Sequence, residues 1–289
     1  MFFGVSIYCQ SSSVARDSIA YGVSSDGINY TFKGYLIEPT YNVCLEPPSS
    51  WPTGTALQLN DPAAIVMSSG TDVALTYSAA VHGDGPNGND CGNIGIATFN
   101  TQTDSIVYRN DDYVVAPDTA AYCYGGGSGF GRPSFDSLDG LAGANNELWF
   151  DDSGVDYKIP ISNINSLSVS NIVSTGLDGG DIDVHTIGPY TLMFANGNGN
   201  GGDGPIEYYY QQNGGSWSSI NYLTSLDGQA WDQDYQGSPD LFVQPDTCAD
   251  LLYLAGAQLN AAKTAYQTIR IAVAVPSDNR IGAAICAQK

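Results

Sequence analysis

Three aspartates stand at comparable places in a repeated pattern. Asp61 and Asp183 lie directly before short apolar strands, and Asp240 lies just inside another. Each copy reads as a polar residue, a Pro-like position, a short apolar strand, a turn, and a second apolar strand rich in aromatics. The copies begin Asp61-Pro62, Arg132-Pro133, Asp183-Val184 and Ser238-Pro239, at spacings of 71, 51 and 55 residues. Their second strands centre on Leu75–Tyr77, Leu148–Phe150, Leu192–Phe194 and Leu252–Leu254. Repeated units set around an axis bring equivalent positions together. Asp61, Arg132, Asp183 and Ser238 or Asp240 would then form one ring of three carboxylates and a guanidinium. Crowded like charges hold a proton on one carboxyl and leave its neighbour ionised. Such a pair can donate and accept protons across a glycosidic bond. Arg132 would clamp a carboxylate or sugar hydroxyl, or neutralise the ring.

Other residues compete for these roles. Asp232, Asp234 and Glu207 are further acid candidates, and Asp181 is the fallback for Asp183. His185, where an apolar strand begins, would bind substrate or an ion, or serve as a satisfied structural histidine. Trp231, Tyr235 and the Tyr208-Tyr209-Tyr210 run offer faces for sugar stacking. Strand alternation turns Tyr209 away from its two neighbours. Two Gly-rich loops, one with Asp84 and Asp90 and one with Asp203, alternate Asp and Asn oxygens that suit Ca²⁺. Neither has the spacing of an EF-hand or a bidentate Glu, and a plain flexible loop is the competing reading.

The elements that must position these groups are strands. Short β-type runs with Gly, Asp and Asn turns recur along all 289 residues. The helix candidate is Gln258–Tyr266, with a loop as its alternative. Repeat length and strand content predict an all-β fold: one five-bladed β-propeller over residues 1–289, with four-stranded antiparallel blades. The N-terminal 60 residues and the tail supply the fifth blade. Phe2–Cys9 and Ile281–Cys286 are expected to close the ring, locked by a Cys9–Cys286 bridge contributing about 4–5 kcal/mol. Cys44 with Cys91, or Cys91 with Cys123, are open alternatives for the rest. Ser24–Tyr30 and Ser225–Trp231 share the pattern Ser-x-Asp-Gly-x-x-aromatic, which reads as a structural hairpin turn.

The chain carries 30 acidic residues against 9 Lys plus Arg, a net charge of −21. That surface repels phosphate backbones and anionic membranes. No run approaches 18 apolar residues, so insertion in a membrane as a helix is not expected. The even count of six Cys, with no CxxC pair, favours disulfides in an oxidising compartment over zinc. No basic segment precedes strand-like Met1–Val5. An extracellular or cell-surface location, with a leader removed, or a viral particle is the expectation. Asn29-Tyr30-Thr31 is a glycosylation sequon.

With these motifs the chain resembles the five-bladed glycoside hydrolases of the furanosidase type. That group includes arabinanases, β-xylosidases and arabinofuranosidases on one side, invertases and fructosidases on the other. Asn60-Asp61-Pro62 is similar to the motif carrying the catalytic base or nucleophile. Ser24–Tyr30 is similar to the outer hairpin, and Gly237–Phe242 to the motif carrying the acid. The resemblance implies a glycan partner, a polysaccharide or oligosaccharide of pentose or fructose units, with Asp61 as base or nucleophile. Asp183 would tune the acid, although no Pro follows it. The family's acid is a Glu two residues before the Pro, where this chain has Gly237. A second expectation therefore stands beside the first: a non-catalytic carbohydrate-binding or structural propeller of a surface, extracellular or viral assembly.

Overall fold

The structure, a computed structural model, describes residues 1–8, 15–40, 42, 44–45, 48–67, 69–83, 90–114, 123–124, 131–136, 147–152, 155–161, 172–177, 180–187, 189–196, 206–219, 221–222, 235–243, 250–259 and 266–274. They divide into two compact units, Met1–Thr175 and Gly176–Lys289. Among them there is no α-helix; a single 3-10 turn spans Pro48–Ser50.

The first unit holds three antiparallel sheets. The first is β1 (Phe2–Tyr8), β2 (Ala15–Val23) and β3 (Thr31–Ile37), in that order. The second runs β4 (Ala56–Val66), β5 (Asp72–Val81), β6 (Asp90–Asn100) and β7 (Ser105–Val114), and β8 (Cys123–Tyr124) also pairs with β6. The third runs β9 (Gly131–Asp136), β10 (Glu147–Asp152), β11 (Val155–Pro160) and β12 (Val173–Ser174).

The middle sheet packs an apolar core on each face, which is why β5 reads as an almost continuous apolar run. Leu75, Tyr77, Ala79 and Val81 join Ile19, Tyr21, Ile37 and Leu59 in one core. Ala74, Ile94 and Ile96 join Phe135, Leu148, Phe150 and Ile159 in the other. Each fully buried aliphatic side chain contributes about 1.5–3 kcal/mol. The Ser24–Tyr30 hairpin is structural, as its pattern implies. Asp26 Oδ1 accepts the backbone N–H groups of Ile28 and Asn29, and its Oδ2 accepts the Asn29 amide at 2.7 Å. Those hydrogen bonds hold the Asp26 carboxyl well below the usual range. Cys44 is disulfide-bonded.

The second unit holds two antiparallel sheets. One is β13 (Gly180–Ile187), β14 (Tyr190–Asn196), β15 (Ile206–Gln212) and β16 (Asn221–Tyr222). The other is β17 (Tyr235–Val243), β18 (Asp250–Leu259) and β19 (Tyr266–Ala274). Phe194, Ile206 and Leu241, with Leu192 and Tyr208, seat β17 on the first of these sheets. The helix expected over Gln258–Tyr266 is corrected at both ends. Gln258 and Leu259 finish β18, and Tyr266 opens β19 opposite Leu259. Pairing between β18 and β19 outweighs helix propensity at Gln258, Leu259 and Tyr266, and the residues between them lie outside the described ones.

Candidate active site

The first strand of four sheets carries the same β-bulge. Asn60 pairs with Ser78 and Ala63 with Thr76, leaving Asp61-Pro62 as the extra residues. Gly131 pairs with Asp151 and Ser134 with Trp149, around Arg132-Pro133. Gly180 pairs with Asn196 and Asp183 with Phe194, around Asp181-Ile182. Gly237 pairs with Ala255 and Asp240 with Tyr253, around Ser238-Pro239. The leading bulge residue takes a left-handed backbone at Asp61 (φ 50°), Arg132 (φ 52°) and Asp181 (φ 46°). Each such non-Gly residue costs about 1–3 kcal/mol, and strain of this kind concentrates where a side chain must be aimed. Proline suits the second bulge position because the extra residue owes no ladder hydrogen bond.

This register corrects the equivalence drawn from the sequence. The partner of Asp61 and Arg132 in the third copy is Asp181, not Asp183. Asp183 instead matches Ala63, Ser134 and Asp240, the first paired residue beyond each bulge. Both Asp181 and Asp183 precede an apolar residue, so period-2 alternation accommodates either alignment. A Gly directly before the bulge in three copies (Gly131, Gly180, Gly237) is the sequence signal that separates them.

The bulge side chains bond the strand beside them. In the first unit the Ser78 hydroxyl donates to Asp61 Oδ2 at 3.0 Å and accepts the Arg132 N–H at 2.7 Å. Arg132 in turn donates from its guanidinium to Asp151 Oδ2 at 2.8 Å. Asp61 and Arg132 are thus brought together through one hydroxyl. Asn60, just before the bulge, donates to Asp17 Oδ2 at 3.1 Å. Gly4 lets β1 approach here, since a Cβ on it would sit 3.1 Å from Asn60 Oδ1.

In the second unit Asn196 donates its amide to Asp181 Oδ2 at 2.5 Å. Asp183 is buried, and its Oδ2 has two partners: His185 Nε2 at 2.7 Å and the backbone N–H of Leu241 at 2.8 Å. His185 is 5% exposed and its ring faces Phe194. Asp183 therefore fixes the peptide that directly follows Asp240. Asp240 itself is open to solvent, yet enough protein surrounds its carboxyl for desolvation to act. Desolvation first, then the Asp183 charge, push it up to about 6, and His185 opposes the shift.

No family model matches the chain, and no curated protein matches it by sequence. Solved structures do match. Its fold is similar to those of solved glycoside hydrolases. The solved BT0996 RGII complex aligns with a TM-score of 0.62 at 11% identity, over 96% of this protein and 84% of that one. A second structure, described as "Glycoside hydrolase", gives 0.58 at 12% identity, over 95% and 84%. An exo-β-1,3-galactanase from Phanerochaete chrysosporium with β-1,3-galactotriose gives 0.54 at 10%, over 95% and 66%. At these identities the likeness speaks for the fold alone.

Tyr235 opens β17 opposite Ala257, and Asp90 opens β6 opposite Tyr124. Trp231, Asp84, Asp203, Asp232 and Asp234 lie outside the described residues, as do Cys9 and Cys286. Among the described residues no three His, Cys, Asp or Glu gather as a metal ion would require. Glu207 is buried, and its Oε2 accepts the Tyr209 hydroxyl at 3.0 Å. Tyr209 is buried with it while Tyr210 is exposed, as strand alternation requires. The residues that sequence reasoning missed are the strand partners Ser78 and Asp151; Asn196, read in the sequence as the start of the Gly-rich loop that holds Asp203, bonds Asp181. Ser78 and Asp151 each sit on a second strand with no motif of its own.

Proposed function

We propose that the chain is a glycoside hydrolase built as one five-bladed β-propeller over residues 1–289. Its substrate would be a polysaccharide or oligosaccharide of pentose or fructose units. The observation that carries this reading is the second unit's carboxyl pair, in which Asp240, the first paired residue past its bulge, is pushed up by desolvation and by the buried Asp183. Asp61 is exposed on its bulge and accepts the Ser78 hydroxyl. Asp240 is pushed up to about 6 beside the buried Asp183. Hydrolysis of a glycoside needs one carboxyl to protonate the leaving oxygen and one to activate water or attack the sugar. Asp240 takes the first role, standing in for the Glu that Gly237 replaces. Asp61 takes the second. Asp183 holds the Asp240 backbone and supplies the like charge, and Arg132 orients sugar hydroxyls. The similarity in fold to solved glycoside hydrolases supports the same reading.

Arabinan, xylan, fructan and the matching aryl-glycosides are the screen. Turnover that falls by about 10²–10⁴-fold in Asp61→Asn is the expected result. A well-folded wild-type chain inactive on all of them overturns the proposal. One observation favours a second reading, a non-catalytic glycan-binding propeller: the fourth bulge pairs Gly237 with Ala255, so neither residue is polar. Glycan binding with no hydrolysis would select it. An extracellular site of action, supported by the Cys44 disulfide, and Ca²⁺ at Asp84, Asp90 or Asp203 belong to the same proposal. A rise in Tm on adding Ca²⁺, removed by chelator, checks the latter.

A further inference from the structure

We infer that Trp51 and His82 form a stacking subsite for a distal sugar of a glycan chain that begins at Asp61. The inference rests on the glycan-ligand reading above and adds to it a second contact point and a minimum ligand length. The ladder between β4 and β5 continues past the end of β5: the His82 N–H donates to the Thr55 carbonyl at 2.9 Å, and the Gly54 N–H donates to the His82 carbonyl at 2.8 Å. His82 is therefore held as if in the strand. Ser78, Ala80 and His82 lie two residues apart and share one face. Gln58 pairs with Ala80 and joins that face.

The face is ordered by chemistry. At one end Ser78 holds Asp61. Next come the half-buried Gln58 amide and the small Ala80, which is itself buried. At the far end the half-buried indole of Trp51 meets the His82 ring edge to face, with centroids 5.5 Å apart. Four residue steps lead from Ser78 to His82, about 13 Å at the usual rise. That exceeds one sugar ring. An indole braced against a second ring offers a sugar an apolar surface, and the amide between would supply hydrogen bonds to hydroxyls. A carboxylate, an amide and a braced indole spaced along one strand face suit an oligosaccharide and offer little extra to a monosaccharide.

The test titrates the full chain with arabino-, xylo- and fructo-oligosaccharides from one to six units, read by calorimetry and tryptophan fluorescence. Affinity for one series is expected to step up about tenfold once the oligosaccharide is long enough to cover the span. Trp51→Ala removes that step and leaves the shortest members unchanged, while Trp51→Phe keeps most of it and controls for folding. Affinity that does not grow with length overturns the inference. So does a Trp51→Ala effect equal on short and long members, or absent on both, and so does a wild-type chain that binds none of the three series. Asp61→Asn keeps the length step. Failure of the catalytic reading, seen as unaltered hydrolysis in that variant, is thereby read separately from failure of the subsite.

Discussion

Asp240→Asn lowers hydrolysis of glycosides with poor leaving groups by about 10²–10⁴-fold, while aryl-glycosides with acidic phenol leaving groups lose far less. The asymmetry follows from the role. An alkoxide leaves only with a proton, whereas a nitrophenolate leaves without one. Asn keeps the size of Asp240 and removes the proton donor, so the loss should track the basicity of the departing oxygen. A pH profile gives an independent reading. Desolvation and the Asp183 charge push Asp240 up to about 6, and the protonated form is the active one. The alkaline limb of wild-type activity therefore falls as pH rises through that value. The variant's residual activity on activated substrates lacks this alkaline limb. An equal loss on all leaving groups, with the limb unmoved, would assign Asp240 to binding and leave the acid's role to another residue.

Much of this was legible in the sequence, at the level of elements. The strand runs around Leu75–Tyr77, Leu148–Phe150, Leu192–Phe194 and Leu252–Leu254 became β5, β10, β14 and β18, because buried strands announce themselves by β-branched and aromatic density. The repeat was legible too, since Pro62, Pro133 and Pro239 each mark the second bulge residue. The third copy was misaligned by two residues because Ile182 stands where Pro would be, and a two-residue slip leaves every side chain on its original face. Only the backbone register separates Asp181, on the bulge, from Asp183, past it. That difference changes the chemistry. Asp181 bonds Asn196 on its own sheet, whereas Asp183 is buried, carries His185 and holds the Leu241 N–H of another sheet. Ser78 and Asp151 were illegible for a different reason. Their importance lies in which bulge they face, a property of pairing across 17 to 19 residues that no local pattern encodes.

Gly95→Ala is expected to destabilise the chain by about 3–5 kcal/mol, a large effect for one methyl group. Gly95 lies directly opposite Tyr77 in the β5–β6 ladder. A Cβ there would overlap Tyr77 Cε2 and come within 2.6 Å of Cζ, so the ring covers the glycine with no room to spare. The ring cannot move cheaply. Tyr77 is fully buried, and its hydroxyl donates to Asp111 Oδ1 at 2.7 Å. Asp111 is itself gripped by Arg109 through two hydrogen bonds of 2.8 and 2.9 Å, and Arg109 reaches the Glu38 carbonyl. Displacing the ring therefore adds the loss of a charge-assisted hydrogen bond to the steric penalty. Tyr77→Phe isolates the hydroxyl's share, about 1–3 kcal/mol. Adding Tyr77→Leu to Gly95→Ala should make the pair far less costly than the sum of the single changes, because the clash is counted only while the ring is present. Urea midpoints for the four proteins close this cycle, and a Gly95→Ala cost under about 1 kcal/mol would contradict the ring's placement. The consequence reaches the site, since Ser78 follows Tyr77 directly. A ring forced off Gly95 moves the strand that holds both Asp61 and the Arg132 backbone, so activity should fall in this variant even at temperatures where it stays folded.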